Sequence, residues 1–264
     1  MLLAIDIGNT DTKLGVFKDI DLLSTWHIAT DIHRTADEYA NNLLGLLRHG
    51  SIDKSDISAI SLCSVVPPLI TTYEELFYKY FGLTPLVVCA GVKTGVSIRT
   101  DNPREVGSDR IANATAAHHL YGGPIIVTDL GTATTFDVVS RDSCYLGGVI
   151  SPGVNTSAET LFMQAAMLPR VELTHPKHAI GTSTVAAIQS GLIFGYTALV
   201  EGMLSRIKNE LGEKAKVVAT GGWAGLIARE TSAFDVVNPD LTLIGLRLIY
   251  SMNPPHNIKQ VKPC

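Results

Sequence analysis

The sequence predicts an α/β fold with mixed sheets, arranged as two domains of one design. Residues 3–16 (LAIDIGNTDTKLGV) and 126–139 (IVTDLGTATTFDVV) share one pattern, an apolar run, Asp-x-Gly, a polar cluster and a second apolar run. Asp6 aligns with Asp129, Gly8 with Gly131 and Thr12 with Thr135, at an offset close to half the chain length. Such self-similarity indicates a duplicated unit. Hairpins require antiparallel pairs and crossover helices require parallel ones, so each unit is expected to contain a mixed sheet.

The composition agrees with two compact domains. The chain has 264 residues, of which 46% are hydrophobic and 17% charged, and its mean hydropathy is +0.23. This length allows two domains of ordinary size, each with its own core. The expected division is an N-terminal domain over 1–115, a C-terminal domain over 116–252 and a flexible tail over 253–264.

Several classes of function are disfavoured by the same numbers. The formal net charge is −4 and no Lys/Arg run is present, so no nucleic-acid partner is expected. No apolar stretch reaches the ~18 residues of a membrane span, and the first residues lack the charged region of a signal peptide. The four cysteines show no C-x-x-C spacing, which indicates neither a zinc site nor a disulfide framework. A cytoplasmic location without membrane partners is therefore expected.

In the first domain, apolar runs bounded by turn residues predict strands at 2–8, 13–17, 22–30, 57–66 and 86–89. A 3.6-residue apolar period ending at Gly50 predicts a helix over 36–49, and a second amphipathic segment predicts one over 71–81. The Pro67-Pro68 pair is expected to end the strand before it. Residues 92–107 are expected to form a loop, after which Ser108 should cap an Ala-rich helix.

In the second domain, the repeated hairpin spans 124–139 and a glycine-rich strand and turn follow at 144–154. Helices are expected near 156–167 and 183–211, and Thr182, Ser183 and Thr184 are the capping candidates of the second. Residues 216–225 read as a strand, a Gly-Gly turn and the start of a helix, and 241–252 as a final helix.

The first turn has the composition of a phosphate-binding site. Gly8 allows close approach of a ligand, and successive backbone N–H groups in such a turn form an anion-binding nest. Lys13 can act as a point charge on a phosphate, and Asp6 can orient waters around Mg²⁺. An ordinary hairpin is the alternative for one such turn, but the second copy at Asp129 favours the phosphate function.

A second cluster precedes the Ala-rich helix. Asp109 can accept a proton from an attacking hydroxyl, and Arg110 can hold a carboxylate in a two-pronged hydrogen bond. Plain helix capping is the alternative explanation. The glycine-rich segments 147–153 and 221–222 can pack against a nucleotide or simply form tight turns. G-x-G-x-x-G, P-loop, H-E-x-x-H and G-x-S-x-G motifs do not occur.

Taken together, these residues resemble a type III pantothenate kinase, over about residues 1–250. The family belongs to the actin, Hsp70 and sugar-kinase superfamily, in which two ribonuclease-H-like domains with helix-flanked mixed sheets enclose ATP in the cleft between them. The motifs that carry the resemblance are DIGNTDTK at 6–13, CSVVP at 63–67, DNPREVGSDRIAN at 101–113, DLGTATTFD at 129–137, GGVISPG at 147–153 and ATGG at 219–222.

The resemblance implies a specific reaction and a set of roles. The reaction is phosphorylation of pantothenate to 4′-phosphopantothenate by ATP with Mg²⁺, the first step of coenzyme A biosynthesis, carried out by a homodimer. Asp109 would be the general base, Asp129 would hold a monovalent cation (K⁺ or NH₄⁺) and Asp6 would hold Mg²⁺ through water. The implied ATP-binding residues are Asp6, Ile7, Gly8, Asn9, Thr10, Asp11, Thr12, Lys13, Thr132, Gly221 and Gly222. The implied pantothenate-binding residues are Thr100, Gly107, Ser108, Asp109, Arg110 and Thr184.

Two positions depart from the family pattern. Thr100 stands where many members have Tyr, and Cys63 replaces the first Ser of a common S-S-V-V-P element. Three alternatives remain at this point: a phosphohydrolase of the same superfamily, a regulatory protein that binds nucleotide without turnover, and a structural α/β pair. The Asp109-Arg110 pair favours the kinase, since a protein that only binds nucleotide does not need it.

Overall fold

The computed structural model describes residues 1–254, which fall into two compact units. The first unit contains residues 1–97, 101–116 and 241–254. The second contains residues 98–100 and 117–240. Each unit is built around its own mixed sheet flanked by helices, which confirms the predicted fold class. The expected cleft between the two units stays a prediction.

The elements follow the predicted order closely. The strands are β1 (Leu2–Ile7), β2 (Asp11–Lys18), β3 (Asp21–Ala29), β4 (Ala59–Ser64), β5 (Leu86–Val87), β6 (Ser97–Ile98), β7 (Ile125–Leu130), β8 (Ala133–Val139), β9 (Cys144–Pro152), β10 (Lys216–Thr220) and β11 (Val236–Val237). The helices are α1 (Ala36–His49), α2 (Pro67–Phe81), α3 (Ser108–Tyr121), α4 (Val154–Gln164), α5 (Thr184–Leu211), α6 (Ala224–Ile227) and α7 (Leu241–Met252). Single 3₁₀ turns lie at Lys54–Asp56 and Pro103–Glu105.

The first sheet has five strands in the order β3-β2-β1-β4-β5, with β1 at its centre. β1 is antiparallel to β2 and parallel to β4. One face packs against α1 and α2 through residues such as Ile5, Leu43 and Phe77. The other face packs against α3 and α7 through residues such as Ala4 and Leu246. Successive side chains of β1 point to opposite faces of the sheet. Because both faces are covered by helices, these side chains contribute alternately to two cores.

The second sheet repeats this arrangement. Its order is β11-β10-β7-β8-β9-β6, so β9-β8-β7-β10-β11 corresponds to β3-β2-β1-β4-β5. The strand pairings are also equivalent, since β7 is antiparallel to β8 and parallel to β10. The helical side of its core comes mainly from α5, whose buried face is formed by Ser190, Ile193, Tyr196, Thr197, Val200, Leu204 and Ile207.

The two repeated hairpins differ by one residue. Asp6 lies opposite Lys13 across the first hairpin, whereas Asp129 lies opposite Thr135 across the second. The second turn is therefore one residue shorter than the first. The ungapped alignment of Thr12 with Thr135 is accordingly off by one residue, because the counterpart of Thr12 in the ladder is Thr134. Both of these threonines are completely buried.

The domain boundaries differ from those expected at the C-terminal end. α7, which the sequence assigned to the domain over 116–252, belongs to the first unit. The physical reason is its apolar face, where Leu243, Leu246 and Ile249 join the core under β1 and β4. Asn253 was expected to start a flexible tail, but it is buried and bonded to the backbone of Lys93 through both amide atoms. The rest of that tail, from 255, lies outside the described residues.

In local details the structure differs from the expectations from the sequence. Pro67 and Pro68 open α2 rather than only ending β4, since proline is tolerated in the first turn of a helix. Cys63 and Cys144 are free and buried. α5 is long and apolar enough to cross a membrane by length and composition alone. Its buried face is nevertheless part of the second core, as in a core helix.

The contact between α7 and α3 leads to a stability prediction. A Cβ at Gly245 would lie 2.0 Å from the carbonyl oxygen of Ala112, whereas a Cβ at Gly202 in α5 would meet nothing within 4 Å. Gly245→Ala should lower the free energy of unfolding by about 1–3 kcal/mol through overpacking. Gly202→Ala is the matched control and should be neutral or stabilising by up to about 1 kcal/mol. Denaturant unfolding measures both, and equal stability of the two variants would contradict this packing.

Candidate active site

Asp6 lies at the carboxyl end of the central strand of the first sheet. It is the penultimate residue of β1, with Lys13 of β2 opposite on one side and Cys63 of β4 on the other. Residues that lie opposite in adjacent strands point to the same face, so all three side chains share the face that packs against α3 and α7. This face therefore combines an acid, a base and a thiol at one strand end.

The turn after Asp6 is tightly closed. The amide of Gly8 donates to the carbonyl of Asp11 at 3.0 Å, and a Cβ at Gly8 would come within 2.8 Å of that oxygen. Asn9, Thr10 and Asp11 are exposed at its tip. The Asp11 carboxylate is 2.8 Å from Nδ1 of His27 on β3. The predicted phosphate turn thus has the open polar tip that the sequence led us to expect.

Two residues of the expected ATP set have side chains that point into the protein. Ile7 and Thr12 are fully buried, and Thr12 Oγ1 is 2.9 Å from Thr30 Oγ1. Thr12 therefore helps to hold the turn against the loop that begins after β3. The hydrogen bond from the Thr30 amide to the Thr10 carbonyl does the same. A contact from Ile7 or Thr12 to a phosphate would have to come from the backbone.

Cys63 lies close to both acids of the first unit. Its Sγ donates to Asp6 Oδ1 at 3.3 Å. Burial is the main reason why the pKa of the Cys63 thiol is raised well above its ordinary value, and the negative charges of Asp6 and Asp109 raise it further. Asp6 is thus bonded to the buried thiol, whereas Asp109 acts on it through its charge.

The start of α3 positions Asp109. α3 begins at Ser108, whose Oγ accepts from the Ser64 amide and donates to the Ser64 carbonyl, both at 3.2 Å. The expected capping role of Ser108 is thus replaced by a connection to the end of β4. The Arg110 amide donates to Asp109 Oδ1 at 2.8 Å, and a Cβ at Gly107 would lie 2.5 Å from the same oxygen. The absence of a side chain at Gly107 leaves space for this carboxylate.

The second unit contains a comparable turn at Asp129. A Cβ at Gly221 would lie 2.5 Å from Asp129 Oδ1, so the glycine packs directly against this carboxylate, whereas Gly222 faces open space. Thr132 is exposed, and its carbonyl accepts from the Gly153 amide at 3.1 Å and from Thr156 Oγ1 at 2.6 Å. The repeated turn is therefore held by the start of α4 and by the turn after β10.

Two further substrate candidates, Thr100 and Thr184, belong to the second unit, whereas residues 107–110 belong to the first. The Oγ1 of Thr100 is buried without a hydrogen-bond partner among the described residues. Thr184 is the first residue of α5, which Ser183 caps as predicted. It lines a pocket of about 330 Å³ whose other lining residues are Leu161, Leu168, Ala187, Ile188, Gly191 and Leu192.

The residues that the sequence did not single out are Ser64, Asp137 and Tyr196. Ser64 follows Cys63 in the CSVVP motif, and only its spatial contact with Ser108 reveals its importance. Asp137 is fully buried and accepts from Tyr145 Oη at 2.6 Å. The Tyr196 hydroxyl is buried without a hydrogen-bond partner among the described residues, and burial, with the charge of Asp129, raises its pKa.

The acids fit cations that need few protein ligands. Within residues 1–254, no group of three or more His, Cys, Asp or Glu could hold a metal ion. Mg²⁺ in phosphoryl-transfer sites keeps several waters and takes one or two carboxylates plus phosphates, so Asp6 at an open strand end suits it. The Asp129 carboxylate supplies oxygen atoms, the type of ligand that hard cations prefer.

The fold places the chain among proteins with the architecture of sugar kinases. It matches the activator of 2-hydroxyisocaproyl-CoA dehydratase from Clostridium difficile with a TM-score of 0.56 at 14% identity, covering 100% of this chain and 98% of that one. It matches the ROK hexokinase from Thermus thermophilus with a TM-score of 0.51 at 15% identity, covering 94% of this chain and 97% of that one. At these identities the likeness concerns the fold alone.

Sequence comparison resolves the family within this class. The family model for type III pantothenate kinase matches residues 2–206. A type III pantothenate kinase from Dehalococcoides mccartyi is 56% identical over 252 residues, which are 96% of each chain. The chain belongs to the type III pantothenate kinase family, as its motifs indicated. It is therefore a phosphotransferase of coenzyme A biosynthesis, with pantothenate and ATP as substrates.

The environment of Cys63 leads to a reactivity prediction. Because the thiolate is the nucleophile and the pKa of Cys63 is raised, little thiolate forms at pH 8. Iodoacetamide should label Cys63 in the native full-length chain more than about tenfold more slowly than in guanidinium-unfolded chain, since each pKa unit lowers the thiolate fraction tenfold. Peptide mass spectrometry measures both rates. Equal labelling rates would show that Cys63 is neither buried nor held by Asp6.

Proposed function

We propose that this chain transfers the terminal phosphoryl group of ATP to the hydroxyl of pantothenate, giving 4′-phosphopantothenate, with Asp109 as the general base. The observation that carries this proposal is the end of β4, where Cys63 is hydrogen-bonded to Asp6 and Ser64 to Ser108, the residue before Asp109. The proposed phosphate-binding acid and the proposed proton acceptor would thus be held by neighbouring residues of one strand. Phosphoryl transfer requires mainly such positioning and charge neutralisation.

The phosphate end of ATP would bind at the turn formed by residues 6–13. The exposed tip at Asn9 and Thr10 offers amide and hydroxyl donors, and Lys13 adds a positive charge beside Asp6. Asp6 would hold Mg²⁺ through water, and Mg²⁺ when bound neutralises phosphate charge. The buried side chains of Ile7 and Thr12 would support this turn rather than contact phosphate.

The acceptor would bind at the start of α3. Asp109 would take the proton from the pantothenate hydroxyl, and its hydrogen bond from the Arg110 amide holds the carboxylate in one orientation. The guanidinium of Arg110 would bind the pantothenate carboxylate with two hydrogen bonds. Gly107, Thr100 and Thr184 would complete the substrate contacts. The orphaned hydroxyl of Thr100 is consistent with a ligand contact.

The second turn would contribute to nucleotide binding through Thr132, Gly221 and Gly222. Asp129 would hold K⁺ or NH₄⁺ through its carboxylate oxygens, the type of ligand that hard cations prefer. A homodimer and a cytoplasmic location, which the resemblance and the composition imply, remain predictions.

The base assignment is tested by Asp109→Asn. This nearly isosteric change should lower kcat by a factor of about 10²–10⁴ and leave the KM for ATP nearly unchanged, because the amide cannot accept the proton. A coupled ATP-consumption assay with pantothenate measures both constants, and omitting pantothenate shows any hydrolysis by water. Asp101→Asn, at an exposed acid of the same segment, is the control. Retention of more than about a tenth of the wild-type rate would exclude Asp109 as the base.

The cation assignment is tested by ion replacement. Replacing K⁺ with Na⁺ at constant ionic strength should lower kcat/KM for ATP at least about fivefold, the lower end of typical coupling between two ligands. In Asp129→Asn, this difference between the two ions should disappear. An unchanged K⁺ preference in the variant would place the cation elsewhere.

A further inference from the structure

The end of β4 connects the two acids of the first unit. Cys63 and Ser64, its last two residues, contact different parts of the site. The Cys63 thiol bonds to the Asp6 carboxylate, and the backbone of Ser64 bonds to Ser108, the residue before Asp109.

We propose that Cys63 and Ser64, here called the β4 bridge, are positioning residues that set the separation between Asp6 and Asp109, and that Ser108 acts as the α3 end of this bridge. This proposal rests on the proposed roles of the two acids. It predicts that Ser108 affects the rate of the chemical step rather than the affinity for pantothenate.

The geometry at Ser108 strongly restricts the start of α3. A serine hydroxyl donates one hydrogen bond and accepts others, and here it bonds to both the N–H and the C=O of one residue. Both bonds are 3.2 Å long, and both are lost if α3 slides along β4 or rotates away from it. The helix that carries Asp109 is therefore tied to one residue of the sheet.

That residue is aligned with the phosphate turn. In the parallel ladder, Ser64 lies opposite Ile7 and Cys63 lies opposite Asp6. The amide of Val65, directly after the bridge, donates to the Ile7 carbonyl at 3.1 Å. A displacement of α3 therefore changes the distance between Asp109 and Asp6. Catalysis is sensitive to such changes, since a misplacement of about 1 Å can cost about 10²-fold in rate.

Ser61 provides a matched control. It lies on the same strand, is fully buried, and its Oγ donates to the carbonyl of Leu246 in α7 at 3.1 Å. Ser61→Ala and Ser108→Ala each remove one hydroxyl, buried at Ser61 and part-buried at Ser108, that is bonded to the backbone of another element. The two variants should be destabilised to a similar extent, but only Ser108→Ala disturbs the connection between the acids.

The test measures kcat, both KM values and melting temperature for purified full-length variants. Ser108→Ala should lower kcat about 10- to 100-fold with little change in the KM for pantothenate. Ser61→Ala should retain kcat within about twofold, as expected for a residue that only contributes to packing. A rise in the KM for pantothenate without loss of kcat would instead identify Ser108 as a substrate contact. Equal kcat in the two variants would also overturn the proposal.

A second pair of variants tests the other end of the bridge, and keeps the proposal testable if Ser108→Ala does not fold. Cys63→Ala removes the donor to Asp6, whereas Cys63→Ser retains one. Cys63→Ala should lower kcat, and Cys63→Ser should restore most of the loss. Equal loss in both variants would contradict the role of this hydrogen bond.

Hydrogen exchange separates failure of the bridge from failure of the proposed function. In Ser108→Ala, the Ser64 amide loses its acceptor and should exchange faster than in wild type, whatever the catalytic role of Asp109. Unchanged exchange at Ser64 would show that the bridge does not exist. If the Ser64 amide exchanges faster in Ser108→Ala but Asp109→Asn is fully active, the hydrogen bonds between Ser64 and Ser108 exist but do not position a general base. That result also overturns the inference.

Discussion

The parallel pairing of β1 with β4 is the constraint on which the site of the first unit depends. It places Cys63 beside Asp6 and Ser64 beside Ile7, so the end of one strand contacts both the end of β1 and α3. A shift of one residue would exchange the two faces of β4 and bury polar groups in the core under α1 and α2. The apolar residues on both faces thus stabilise the register that brings the two acids together.

α3, the helix that carries Asp109, is held from two directions. Its first residue bonds to the end of β4, and its middle packs against α7. The contact with α7 includes a buried hydrogen bond of 2.8 Å from Thr242 to Asn113 and the close approach of Gly245 to Ala112. α7 is therefore a structural part of the first unit although it follows the whole second unit in the chain.

The two copies of the hairpin have the same topology but different chemistry. The first turn is one residue longer and has Lys13 opposite its acid, whereas the shorter second turn has the neutral Thr135 in that place. The first arrangement offers a positive charge beside an acid, which suits polyphosphate with Mg²⁺. The second keeps its acid against a bare glycine, which suits a cation that needs oxygen ligands and little added charge.

The sequence alone determined the order of elements, the duplicated hairpin and the family, because these depend on local periodicity, turn residues and contiguous motifs. It also identified Asp6, Asp109 and Asp129 as candidates, since each belongs to such a motif. Only the tertiary structure showed that Thr12 faces the core, that α7 joins the first unit and that Ser108 bonds to Ser64. The first of these facts depends on the register of the first hairpin. The other two depend on packing between residues far apart in the chain, 44 positions for Ser64 with Ser108, which local patterns do not encode.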